Sequence, residues 1–378
     1  MPDVLIYADT FRSPELRHEV PLGIPDPVLY AEKDGTKHVV THSMEAPRLA
    51  ASGTLELHLM EELGVDELVA ADLSPLELRA ELALRGVRAV GVTSAVVPDT
   101  FPIWLADHLR ANGVELTTDP DLFDDRRRVK SEAELEGMRG AQRAAEAAMD
   151  TCRDMLRRAE QNGDGLTLEG DPLTVERVKS AMGIVFASHG TTADEFIVAP
   201  GPQGAVGHDM GSGPIRAGVP IVVDIWPRDN DSAVYCDMTR TFVVGDVPED
   251  VRRWHALCKQ ALDRAIAEIR PGAAGRAIFD GTCEIFEAAG EPTQRTKPDG
   301  EPLVDGFFHG LGHGVGLEVH EEPGLGRTTR TALVAGDVVT VEPGLYRQGY
   351  GGVRLEDLVL VTADGAENLT RYPYDLEP

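Results

Sequence analysis

Apolar and polar positions are arranged differently in the two parts of the chain. Through the first third, short apolar runs alternate with stretches of helical period. Val28–Ala31, His38–Thr41, Glu67–Ala71, Ala89–Val92 and Val114–Thr117 are predicted strands, and Ala46–Leu63, Pro75–Arg85 and Asp99–Ala111 are predicted helices. Strands alternating with helices predict an α/β domain on a mainly parallel sheet. The charged stretch 124–130 (DDRRRVK) predicts a boundary, with one domain over residues 1–126 and another over 127–378. Its arginines read as linker and helix-start contacts and not as a binding patch. Ser131 with Glu134 then forms a capping-box signature that opens an Ala-rich helix to about Glu160. A second long helix is predicted from Glu249 to about Ile269, stopped by Pro271 and Gly272. Both are expected to cover the outside of a sheet. Gln161–Asp171 and Gly290–Gly300 have loop composition, the latter expected to rim a site.

The second pattern is a pair of acid-bearing hairpins. Residues 219–223 are β-branched and apolar up to Asp224, as a buried strand requires, and PRDNDS (227–232) has turn composition. The chain returns through Asp237 into Met-Thr-Arg-Thr-Phe-Val-Val. Further on, Val-Val-Thr-Val leads to Glu342-Pro-Gly, and the glycine-rich stretch 349–352 leads to Val-Arg-Leu-Glu356. The acids lie 13 apart in the first hairpin and 14 apart in the second, as in a duplicated unit folded face to face. Two carboxylates about 4 Å apart repel by about 4 kcal/mol at an effective dielectric near 20. Four of them on apolar strands call for balancing cations. Between the hairpins lies Phe308-His309-Gly-Leu-Gly-His313-Gly-Val-Gly-Leu-Glu-Val-His320-Glu. The His309/His313 spacing suits a zinc helix, but the alternating glycines oppose a helix and the neighbouring glutamate of that motif is missing. An extended, Gly-lined segment is the prediction. Asp224, Asp237, His313, Glu342 and Glu356 are therefore candidate ligands for a pair of divalent ions.

Composition narrows the setting. With 42% hydrophobic residues, the 378-residue chain is globular and long enough for two domains. A net charge of −28 argues against a nucleic-acid partner, since phosphate binding needs a basic face. No run approaches the roughly 20 apolar residues of a membrane span, and the start MPDVLIYADT has no basic leader, so a cytoplasmic protein is expected. Cys152, Cys236, Cys258 and Cys283 show no CxxC spacing and read as free buried thiols, with Cys236 facing away from Asp237. No GxGxxG follows a strand, which leaves a nucleotide role without support.

The segments VVDIW, CDMTRTF, HGLGHGVGLEVHE, TVEPGLY and GGVRLED, in this order, resemble the pita-bread metallopeptidases, in particular aminopeptidase P and prolidase. The resemblance covers about the last 250 residues strongly and the earlier part in architecture only. It implies an N-terminal creatinase-like α/β domain, and a C-terminal pita-bread domain with helices outside a curved antiparallel sheet. It implies two metal ions, manganese foremost, with cobalt, zinc or iron as alternatives. Asp224 would hold one ion, Asp237 and Glu356 would bridge both, and His313 and Glu342 would complete the second. His208 and His320 would face the substrate, Arg354 would steady the site or a substrate carboxylate, and His309 would stand in the pocket. The first acid pair is two residues farther apart than is usual in the family. Because side chains alternate with period two, Asp237 is kept as ligand over the turn acids Asp229 and Asp231. The implied reaction is hydrolysis next to proline in a peptide or dipeptide by a metal-bridging hydroxide, with Glu342 passing the proton, in a homodimer. Alternatives are an ectoine-hydrolase-like amide hydrolase, a non-catalytic binding module on the same fold, and a two-metal phosphoesterase.

Overall fold

The capping box forms as the sequence predicts, and it starts the helix that backs the second part of the chain. In this computed structural model, which describes residues 2–378, Ser131 Oγ accepts from the Glu134 amide at 3.2 Å and the Glu134 carboxylate accepts from the Ser131 amide at 2.8 Å. The helix runs over Glu132–Arg158 and buries Met138, Ala141, Ala145, Met149 and Cys152 along one stripe. Small residues dominate that stripe, which lets the helix lie close to its neighbours.

The chain divides into two compact units, Met1–Arg127 and Arg128–Pro378. In the second unit, one antiparallel sheet contains Ile197–Pro200, Ile221–Ile225 and Met238–Phe242. Another contains Glu321–Leu325, Gly312–Gly314, Val338–Val341, Asp357–Val361 and Ala366–Asn368. The two hairpins meet where Thr239 bridges Glu356, whose amide donates to the Thr239 carbonyl at 3.1 Å.

Strand alternation sorts the side chains between two cores. Val338, Leu358 and Leu360 join Ile221, Val223, Ile225 and the Glu132–Arg158 helix in one. Val339, Val341, Val359 and Val361 join the helices Glu249–Glu268 and Gly275–Ala288 in the other. These strands are apolar on both faces because helices cover both faces, the arrangement of the expected pita-bread fold.

The first unit holds a six-stranded sheet ordered Leu55–Leu59, Thr36–Thr41, Val28–Lys33, Val4–Ala8, Ser94–Val97, Glu115–Thr118. Three of its five pairings are parallel, as expected, and Val28–Lys33 makes it mixed by pairing antiparallel with both neighbours. Several local expectations need correction. Glu67–Ala71 falls on the helix Val65–Ala70 and its C-cap Ala71, with Asp66 and Glu67 at the positive end of the helix. Ala89–Val92 closes the helix Pro75–Val90, which ends on Gly91 in the left-handed region; the strand begins later, at Ser94. The predicted helix Ala46–Leu63 begins as expected but is short, Ala46–Ala50, and is followed by a strand in which Leu55, Leu57 and Leu59 alternate. The predicted helix Asp99–Ala111 starts at Ile103, after Pro102. Residues 124–128 are helical, in Pro120–Arg128. Arg126 there pairs with Glu19 and Glu32, and Arg128 pairs with buried Asp337. The expected loop Gln161–Asp171 is mostly short antiparallel strands that bury Leu166 and Leu168. No helix among the described residues is long and apolar enough to cross a membrane.

Candidate metal centre and substrate pocket

Alternation along each strand sends the polar residues inward. Val223 and Ile225 enter a core, so Asp224 and Trp226 share the other face and line a cavity of about 670 Å³. Cys236 and Met238 enter the same core, while Asp237 between them lines the cavity. On the second hairpin Val353 and Leu355 are core residues, and Arg354 and Glu356 face the cavity. Glu342 reaches it from the end of Val338–Val341, where Pro343 follows. The volume lies within the roughly 300–1,000 Å³ of small-ligand sites.

The histidine segment is extended and not helical. Gly312–Gly314 is a strand squeezed between two others; a Cβ on Gly312 would stand 2.0 Å from the Thr340 carbonyl oxygen, and one on Gly314 2.6 Å from that of Glu321. This close approach explains the alternating glycines. It leaves His313 with Nε2 3.5 Å from Glu342 and 3.9 Å from Asp237. His313 Nδ1 lies 3.1 Å from the Gly314 carbonyl, which can only accept, so the ring proton sits on Nδ1 and the Nε2 lone pair faces the acids.

Donor atoms of Asp237, His313 and Glu356 lie within 4.8 Å of one another. Burial pushes the Asp237 carboxyl well above its ordinary range, and Glu356, Asp224 and Glu342 push it further. Glu356 is raised in the same way, by burial and then by Glu342 and Asp224. Glu342 is pushed up to about 8 by burial, against the opposing charge of Arg354. Burial also lowers His313 to about 4, with His320 adding to the effect. Asp237 Oδ1 is buried with no hydrogen-bond partner among the described residues. Mutually repelling buried carboxylates, an unpartnered oxygen and an imidazole lone pair aimed at them together fit divalent cation binding.

Around this cluster the remaining predicted residues hold distinct places. Asp224 is paired with Arg354, whose other guanidinium nitrogen donates to Tyr346 Oη at 2.8 Å. His309 Nδ1 lies 2.7 Å from the Gly310 carbonyl and Nε2 lies 2.9 Å from Tyr346 Oη, so the phenol donates to Nε2 and both ring nitrogens are engaged. His309 is thus a pocket wall, held neutral by burial and by Arg354, which depress it to about 3. His320 stacks edge-on against His313 with ring centroids 4.3 Å apart, and His208 is exposed on the same cavity. Asp229 is occupied elsewhere, accepting from the Ser232 amide and hydroxyl at 2.8 and 2.6 Å.

Sequence reasoning missed Tyr346, Thr239 and the apolar lining of Met210, Trp226, Phe308 and Val319. Thr239 Oγ1 donates to Glu356 Oε2 at 2.7 Å and fixes that carboxylate. A buried tyrosine next to a predicted site is itself a signal, because its hydroxyl needs a partner. Trp226 could have been read from its position two residues after Asp224.

Fold and site together define an enzyme of the metallopeptidase class. The sequence model of metallopeptidase family M24 matches residues 136–363, and the chain belongs to that family. It is 30% identical over 317 residues to the probable dipeptidase PepE of Mycobacterium tuberculosis, covering 79% of this chain and 77% of that protein. To the Xaa-Pro dipeptidase of Pyrococcus furiosus it is 36% identical over 185 residues, 49% of each chain. Among solved structures, the prolidase of Pyrococcus horikoshii superimposes with a TM-score of 0.77 at 23% identity, covering 100% of this chain and 95% of that one. The X-Pro aminopeptidase of Thermotoga maritima does so with a TM-score of 0.79 at 20% identity, covering 99% and 97%. These likenesses extend the shared fold over both units.

Proposed function

We propose that this enzyme hydrolyses the peptide bond before proline, as an Xaa-Pro dipeptidase or aminopeptidase. In this reading Asp224, Asp237, His313, Glu342 and Glu356 hold two divalent ions. The observation that carries it is the buried cluster of mutually repelling carboxylates with the His313 lone pair turned toward it. When bound, such ions acidify water near neutral pH and polarise the scissile carbonyl as Lewis acids. Carboxylate and imidazole donors suit manganese, cobalt, iron or zinc, and manganese is the first to test.

The side chains supply the rest. Arg354 neutralises Asp224 and keeps it oriented, while Tyr346 and Thr239 fix Arg354 in turn. Glu342 stands beside His309 and His313 and can carry a proton from the nucleophile to the leaving nitrogen. Proline leaves as a secondary amine and must receive that proton before departure. His208 on the rim donates a hydrogen bond to the developing oxyanion, and His320 contacts the proline side. Trp226, Phe308, Met210 and Val319 offer apolar surface for the substrate rings and chains. The similarity to named dipeptidases and to an Xaa-Pro dipeptidase supports this choice over other amides.

The reading is tested with manganese-loaded protein on Xaa-Pro dipeptides, longer Xaa-Pro peptides, peptides lacking proline, a non-peptide amide and a phosphomonoester. Preferred cleavage before proline is expected; equal rates without proline, or faster cleavage of the amide or the phosphoester, would refute it. Replacing His208 by alanine should lower kcat about 100- to 1000-fold, the usual loss for one oxyanion donor, with metal content unchanged. A wild-type kcat would remove that role.

A further inference from the structure

Behind the acid cluster, away from the cavity, lies a buried cation that neither the proposed catalytic chemistry nor the substrate uses. Arg240 is 1% exposed, yet all five of its guanidinium N–H groups are spent. They donate to the carbonyls of Thr239 at 2.9 Å, Glu356 at 2.7 Å, Tyr372 at 3.0 Å and Pro373 at 2.9 Å, and to Asp357 Oδ1 at 3.0 Å. Two of these acceptors lie on opposite hairpins, at the point where Thr239 and Glu356 bridge. Two others belong to the segment after the last strand. That segment reaches back to the same place: Tyr374 stacks on the guanidinium at 4.4 Å, its hydroxyl donates to Asp357, and the Leu376 carbonyl accepts from the Val243 amide at 2.8 Å.

We propose that Arg240 is a positioning residue for the metal centre. It locks the backbone that carries Asp237 to the backbone that carries Glu356, and the segment Tyr372–Leu376 completes its coordination. The inference rests on the reading that Asp237 and Glu356 share the ions. Two carboxylates on separate hairpins can bridge one pair of ions only if their backbones keep a fixed separation. Local strand pairing at that junction is a single bridge, joined by the Thr241 hydroxyl, which bonds the Arg354 amide and carbonyl at 3.0 Å. The planar fork of Arg240 adds the most rigid constraint, with five donors at once. Lysine keeps the charge but replaces a rigid five-donor fork with a point charge, so it cannot hold four carbonyls and a carboxylate at once.

The test is manganese titration by calorimetry of chelator-stripped wild type, Arg240→Lys and Tyr374→Phe, with the visible spectrum of the cobalt-loaded forms and the melting temperature of the metal-free forms. Arg240→Lys is expected to bind manganese about 10- to 100-fold more weakly, the range for loss of a residue that orients metal ligands, and to show an altered cobalt spectrum. Tyr374→Phe, which keeps the ring and loses one hydrogen bond, should shift affinity in the same direction by less. A purely structural arginine would lower the metal-free melting temperature and leave affinity and spectrum as in wild type, and that result overturns the proposal. If Arg240→Lys does not fold, Tyr374→Phe decides alone: weaker binding supports the proposal and unchanged binding overturns it. Wild-type protein that takes up no manganese refutes the functional reading as well, whereas uptake by wild type with unchanged variants refutes this inference only.

Discussion

Replacing Glu356 by alanine is expected to eliminate hydrolysis and to leave the protein short of its full metal complement. Glu356 is 2% exposed and within reach of both Asp237 and His313, so no other carboxylate can take over its place. Elemental analysis after manganese reconstitution, beside a peptidase assay, checks both halves. A variant that retains both ions and full turnover would end the assignment. The stability effect should run the other way in the metal-free state. There burial, Glu342 and Asp224 disfavour the charged form of Glu356, so folding must either keep an unfavourable charge or take up a proton. Glu356→Gln keeps the shape and removes the charge, so the stripped variant should melt higher than stripped wild type at pH 8. A lower melting temperature would show that the acids do not repel one another.

Chelation gives the second large effect, and its pH dependence has a definite sign. In the metal-free protein Glu342 titrates near 8, and Asp237 and Glu356 are also raised well above their ordinary values. A carboxyl whose folded pKa is raised holds its proton longer when folded. Its contribution is complete below the unfolded value and is lost as pH climbs through the folded one. His309 and His313, lowered to about 3 and about 4, act oppositely: their contribution is present above about 6.5 and is lost as pH falls through the folded values. Between pH 4 and about 6.5 the two sets therefore oppose each other. Above about 6.5 only the carboxyls act, and metal-free stability should fall by about 1.4 kcal/mol per pH unit for each carboxyl still protonated in the fold. Metal-loaded protein lacks this slope, and bound ions add stability by mass action. Denaturant melts from pH 6.5 to 8, with and without chelator, should diverge as pH rises. Parallel curves would mean that the acids are not clustered.

The parts of the site that were legible in the sequence are those written in strand alternation. Asp224, Asp237 and Arg354 each sit between apolar neighbours that enter a core, and Glu356 follows core Leu355, so alternation turns all four to one side. The glycines flanking His313 were readable for the same reason, since only a strand pressed against others needs so many missing side chains. Illegible were partners chosen by three-dimensional neighbourhood. Tyr346 and Arg354 are eight residues apart and meet only because Gly344–Arg347 pairs with Gly351–Arg354. Arg240 read as an ordinary strand residue because its acceptors are backbone carbonyls, which carry no sequence signal. In the first unit, short elements defeated periodicity. Val69 carries β propensity, yet the helix Val65–Ala70 forms, with acidic residues in its first turn and Leu68 buried. The five residues of Leu55–Leu59 are too few to outweigh the helix-forming stretch before them.

Val338–Val341 and Asp357–Val361 each feed two separate hydrophobic interiors, and the reactive acids stand at their ends. Insertion of one residue within either strand would exchange the contents of both interiors and swing the adjoining acid away from its partners in the same event. Folding and chemistry are therefore exposed to the same lesion along these nine positions, and length variation among relatives of this chain should collect in the turns, such as 227–232 and 348–350, and spare the strands themselves.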